Sequence, residues 1–139
     1  SCWCCRWDFL YVAWGMWARP LAQRLEGTLA TNAWLRLFGV GIGRGVFLGP
    51  GFAQVVDPDM LNFEANSTVV NLFQAHSFDD RVLKKAPVHI RENATVRAGV
   101  VMLYGADIGQ GTIVTEQSVI MKNELLLPDR YYCGAPTQS

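Results

Sequence analysis

A chain of 139 residues is about one domain's worth, enough to bury a single hydrophobic core. Twelve basic and twelve acidic side chains give a formal net charge of zero, which argues against nucleic acid as a partner, because phosphate neutralisation needs an excess of Lys and Arg. Half the residues are hydrophobic and 17% are charged, so intrinsic disorder is excluded. The sequence begins at Ser1, which predicts a processed product or a piece of something larger.

The N-terminal third reads as helix. Trp3, Trp7, Leu10, Trp14, Trp17, Leu21 and Leu25 are spaced by three or four residues, which on a regular helix puts all seven on one stripe. Such a stripe suits either the domain's own core or the headgroup layer of a membrane. Pro20 is expected to end or kink this helix near Arg19. The uncharged run from Phe9 to Ala18 is only ten residues, about half of a bilayer-spanning helix. A second helix is expected over Thr31–Phe38, with Asn32 as its cap and Gly39 as its terminator. Cys2, Cys4 and Cys5 crowd at one end and Cys133 stands near the other, with no Cys-x-x-Cys pair. Neither a disulfide framework nor a metal site is expected, and a reducing compartment is the simpler reading; the cluster also fits S-acylation.

Beyond Gly39 the glycines alternate at Gly39, Gly41, Gly43 and Gly45, then Gly49 and Gly51 follow. A dinucleotide fingerprint fails, because its third glycine falls on Arg44, Val46, Leu48 or Gln54. Aliphatics instead recur by sixes: Ile90, Val96, Met102, Ile108, Val114 and Ile120. Four residues after most of them comes a small side chain, at Ala94, Ala106, Thr112 and Ser118, with Val100 and Glu124 as exceptions. Ile42 and Leu48 share the spacing, and Phe63 and Val69 extend it. A three-sided parallel β coil has this period. Each side is a short strand and a turn, so eighteen residues close one coil and residues 90–125 make two.

With these repeats the chain resembles the hexapeptide-repeat, left-handed parallel β-helix proteins, over about residues 39–136. The hand is implied by the resemblance and not by the spacing. Leu127-Pro128 followed by Gly134-Ala135-Pro136 looks like the tail of hexapeptide acyltransferases. Arg91, Arg97, Leu103, Thr115 and Met121 depart from the family, standing where it often has a small residue. The expected fold class is mainly β: a left-handed parallel β-helix preceded by one or two N-terminal helices. Residues 1–38 form the tryptophan-rich lead-in and 39–139 the β-helix domain, with an inserted loop near 70–88.

That insertion is too polar and irregular to be a coil side throughout. In acyltransferases of this superfamily an excursion here carries the catalytic histidine, and His76 occupies the matching place. The string Gln74 to Lys84, with Gly49 to Asp59 and Leu35 to Gly39, resembles the C-terminal, membrane-associated domains of ε-poly-lysine-synthetase-type nonribosomal peptide synthetases. The resemblance implies acyl or aminoacyl transfer from a pantetheine thioester, on coenzyme A or a carrier-protein domain, to a small amine or hydroxyl acceptor. His76 would act as general base. Asp79 or Asp80 would orient the imidazole, Arg81 would pair with one of them or meet a phosphate, and Asn71 and Gln74 would donate hydrogen bonds. The alternative for Asp79-Asp80-Arg81 is a local salt-bridge cluster holding the loop.

His89 reads as a coil-surface residue, and Lys84 and Lys85 as solvated. No metal is expected: a γ-type carbonic anhydrase on this coil needs three zinc-binding histidines, and this chain has two, thirteen apart. The sequons at Asn66 and Asn93 read as chance matches in a reduced setting. A homotrimer or an internal pseudo-trimer is implied, in the cytoplasm or at the inner face of a membrane. The competing functional class is a non-catalytic, trimerising scaffold domain of a membrane-bound synthetase.

Overall fold

The computed structural model describes residues 2–50, 52, 57–70, 73–74 and 76–139; the side chains of residues 2–4, 7, 10, 73, 74, 78 and 79 are outside that description. Helices come first: α1 (Cys2–Ala13), a π-helical turn (Trp14–Ala18), α2 (Arg19–Leu25) and α3 (Leu29–Leu37). Pro20 does not end the first helix. It has no N–H for the carbonyl four residues back, and the turn ahead of it widens, so that the Arg19 N–H reaches the Trp14 carbonyl, five residues away. The wide turn breaks the expected stripe. Trp14, Ala18 and Ala22 are buried, whereas Trp17 is 78% exposed and Leu21 also faces solvent. Leu25 is half-buried, and Trp3, Trp7 and Leu10 have side chains outside the described set.

Helix α3 starts earlier than expected, at Leu29, with Thr28 at its N-cap. Asn32 lies inside it, buried, and its side-chain amide donates to the Val46 carbonyl at 2.8 Å. The Trp34 indole N–H donates to the Ala18 carbonyl, and the Arg36 guanidinium to the carbonyls of Ile42 and Gly43. The helices are therefore tied to each other and to the first coil. Gly39 adopts φ +93°, the left-handed conformation that ends a helix at little cost to glycine.

The rest is the three-sided coil. One face stacks β1 (Gly41–Ile42), β3 (Leu61–Phe63), β8 (Val88–Ile90), β11 (Asp107–Ile108) and β14 (Leu125–Leu126). A second stacks β2 (Phe47–Leu48), β4 (Thr68–Val69), β9 (Thr95–Val96), β12 (Ile113–Val114) and β15 (Tyr131–Tyr132). The third stacks β5 (Phe73–Gln74), β10 (Val101–Leu103) and β13 (Val119–Ile120). Every pairing within these faces is parallel. His89 pairs with Asp107, Asp107 with Leu125, and Thr95 with Ile113, each eighteen residues on.

The sixfold aliphatics point inward as expected. Ile90, Val96, Met102, Ile108, Val114 and Ile120 are all buried, and Leu126 and Tyr132 continue the series. The small positions Ala94, Ala106, Thr112 and Ser118 are buried too, and so is the larger Val100. Removing such a side chain from water contributes roughly 1.5–3 kcal/mol, so repetition along the axis makes this stack the main source of stability. A third series shares the period: Asn93, Gly99, Gly105, Gly111, Gln117, Asn123 and Asp129 all have positive φ. They sit at the corners, where Gly and Asn enter the left-handed region most cheaply. Close approach explains Gly43: a Cβ there would lie 2.7 Å from the Ala65 amide nitrogen of the next coil.

Among the described pairings the offset departs from eighteen on the earlier coils: Gly41 pairs with Asn62, twenty-one residues on, Phe63 with Ile90, twenty-seven on, and Phe73 with Met102, twenty-nine on. The longer insertion is an ordered antiparallel hairpin, β6 (His76–Asp79) and β7 (Val82–Lys85), rather than an irregular loop.

Candidate functional site

The hairpin is local chemistry. Asp80 and Arg81 form its two-residue turn, with φ of +51° and +63°, as a type I′ turn requires. Both are exposed at its tip. Its register places His76 directly opposite Lys85, so the two side chains leave the same face of the ribbon. Both reach a carboxylate supplied from elsewhere: Asp57, at the N-cap of a short 3-10 turn, Pro58–Met60.

The Nδ1 of His76 contacts Oδ2 of Asp57. The Nζ of Lys85 lies 3.3 Å from the other oxygen of that carboxylate, Oδ1, and 3.8 Å from Oδ1 of Asp59. The site is dry. Asp57 is 1% exposed at its side chain, Lys85 9%, Asp59 10% and His76 12%. A carboxylate at Nδ1 favours the tautomer with its hydrogen on Nδ1, which makes Nε2 the basic nitrogen. An imidazole with that pairing can take a proton from a nucleophile, and the carboxylate stabilises the imidazolium that forms.

Asp57 is a carboxylate partner of the imidazole, and Asp80 sits at the hairpin tip; the side chain of Asp79, the other candidate, is outside the described residues. One expectation is corrected here. Lys85 is not solvated but nearly buried in an ion pair, because the alternation of β7 turns it inward while its neighbour Lys84 is exposed. Of the expected substrate contacts, Gln74 falls on β5 with its side chain undescribed, and Asn71 lies outside the described residues. Arg81 is at the tip with Asp80. His89 is half-buried on β8, beside Asn62 and Asp107 in the sheet. Sequence reasoning carries Asp57 and Asp59 only within the Gly49 to Asp59 stretch; the sole local signal is Asp-Pro-Asp, a proline-started turn preceded by an acid.

A second polar feature lies on another edge of the coil. A cleft of about 440 Å³ is lined by Glu64, Arg91, Asp107, Leu125, Leu127 and Pro128 among others. Arg91 makes two hydrogen bonds to Asp107, at 2.7 and 2.9 Å, and one to Glu64 at 3.2 Å. These bonds, Asp107's first, and the attraction of both carboxylates bind the guanidinium proton more tightly than in an ordinary arginine. Among the described residues no group of three or more His, Cys, Asp or Glu side chains is placed to hold a metal ion, and no helix is long and apolar enough to cross a membrane.

No family model matches the chain. A curated protein, the delta-poly-L-ornithine synthetase of Acinetobacter baumannii, is 25% identical over 112 residues, 81% of this chain but only 8% of that protein's length. Among solved structures, a hexapeptide-repeat-containing acetyltransferase from Vibrio cholerae superposes with a TM-score of 0.65 at 16% identity, covering 96% of this chain and 90% of that one. The same enzyme complexed with acetyl coenzyme A gives 0.62 at 17% identity, covering 94% and 85%. A maltose O-acetyltransferase from Clostridium difficile gives 0.62 at 14% identity, covering 93% and 86%. The chain is thus a left-handed parallel β-helix of hexapeptide repeats with a helical N-terminal region, the fold of the hexapeptide-repeat acetyltransferases.

Proposed function

We propose that this domain transfers an acyl or aminoacyl group from a pantetheine thioester to an amine or hydroxyl acceptor, with His76 as general base. The observation that carries the reading is the pairing of His76, on a hairpin built out from the coil, with Asp57 from the turn beside it. In the proposed step the imidazole Nε2 takes the proton of the acceptor as its N or O attacks the thioester carbonyl. The C–S bond then breaks, and the thiolate leaves with a proton returned by the imidazolium. No protein nucleophile is needed. Such assistance contributes about a hundred- to ten-thousandfold in rate. Asn71, Gln74, Asp79, Asp80 and Arg81 remain the candidates for contacting substrate. The acetyl coenzyme A complex of a fold neighbour supports a coenzyme A-type donor, and the synthetase relative, of whose length the match covers 8%, supports a place within a longer polypeptide.

The test supplies acetyl coenzyme A or an acyl-loaded carrier with an amine acceptor and compares the wild type with His76→Ala. Loss of turnover with the fold retained is expected. Equal turnover in the two proteins overturns the assignment and favours the trimerising scaffold.

The lead-in helix is proposed as a membrane-surface contact. Phe9, Val12, Met16 and Trp17 are exposed, away from the buried Trp14, Ala18 and Ala22. The first fifty residues hold five arginines against one aspartate and one glutamate, which suits an anionic surface. Co-sedimentation with phosphatidylglycerol vesicles is expected, reduced in Trp17→Ser; a protein that stays in the supernatant overturns the idea. Assembly into three copies, or three tandem domains in a parent chain, is checked by light scattering.

A further inference from the structure

We infer that Lys85 is a positioning residue, one that holds the Asp57 carboxylate in the orientation that fixes His76. The inference rests on the reading of His76 as the base. A lysine 9% exposed is costly, since an ammonium gives up its water, and one is almost never buried unless paired. Strand β7 has no need of it for solubility, because Lys84 already presents its charge on the open face. What Lys85 does reach is one oxygen of Asp57, Oδ1, at 3.3 Å, while Nδ1 of His76 takes the other. The carboxylate torsion of aspartate is soft, so a group with partners on both oxygens is held far better than one with a partner on one.

The hairpin register supplies both partners together. His76 and Lys85 are cross-strand neighbours, and the ribbon that brings the imidazole to Asp57 necessarily brings the ammonium as well. Charge supports the same assignment. Among the described residues Lys85 bridges Asp57 and Asp59, and without it two nearly buried carboxylates lose their ammonium partner.

The experiment is ¹⁵N spectroscopy of the His76 ring in the full chain, comparing the wild type with Lys85→Met and Lys85→Gln, two neutral variants in case one fails to fold. In the wild type the Nδ1–H tautomer is expected to dominate; in either folded variant the two tautomers are expected to mix. A variant that keeps the wild-type ring signals overturns the inference. With acyl transfer established, kcat is expected to fall about ten- to a hundredfold at nearly unchanged KM for the thioester. Unchanged kcat overturns the inference as well. The ring signals need no substrate, so Lys85 is judged even if the protein transfers nothing, and a failure of the acyltransferase reading is seen separately.

Discussion

The coil and the hairpin solve the same problem, placing side chains, by opposite means. From Val88 to Tyr132 each position has the same task as the one six residues before it: an inward aliphatic, a buried small residue, a left-handed corner. The coils template each other through parallel ladders of fixed register, so a defect at one level is shared by its neighbours. The hairpin repeats nothing. His76, Lys85 and Asp57 each occur once, and they meet only because a type I′ turn sets the ribbon register while the coil brings the Pro58–Met60 turn alongside. Periodic construction makes a support in which each level repeats the one before it; the hairpin has no such repeat.

Substitution at each kind of position is expected to separate the two. The largest effect is at the hairpin: His76→Ala is expected to lower turnover about a hundred- to ten-thousandfold, beyond any loss that follows the unfolded fraction. The reverse signature belongs to Ile108→Ala, which empties a fully buried position in the inner stack. It is expected to cost roughly 2–5 kcal/mol in urea unfolding, with any activity loss following the unfolded fraction. Gly105→Ala tests the corners. The site has φ +75°, and a Cβ there would fall 2.1 Å from Oδ1 of Asn123, the corner residue of the next coil. A loss of about 1–2 kcal/mol is expected, and a neutral result would mean that the corner relaxes. The smallest effect is on the surface: Arg91→Met removes an ion-pair cluster whose members are 44%, 43% and 24% exposed. Under about 1 kcal/mol is expected by thermal melting, shrinking further at high salt.

Much of the coil was legible because hydrophobic periodicity is one-dimensional information, and six aliphatics in step require no knowledge of what lies across the core. The corner series from Asn93 to Asp129 was equally present in the sequence but hidden from aliphatic counting, since Gly, Asn, Gln and Asp share a backbone conformation rather than a side-chain chemistry. The lead-in was misjudged for a physical reason. A stripe is projected at a constant angle per residue, and one π-helical turn ahead of Pro20 exchanges Trp17 and Leu21 for Ala18 and Ala22 on the buried face. At the candidate site, His76 was singled out by its place in an excursion and by a family resemblance; its pairing with Asp57, nineteen residues earlier, joins residues near in space and not in sequence.

The sequence by itself determined the three-sided coil and its eighteen-residue pitch, because both follow from spacing along the chain. Tertiary structure alone decided that Asp57 faces His76, that Lys85 is drawn out of solvent to the same carboxylate, and which tryptophan the core accepts. Those outcomes depend on distances between residues that no local pattern connects, and on how much water each charged group surrenders when the coil closes around it.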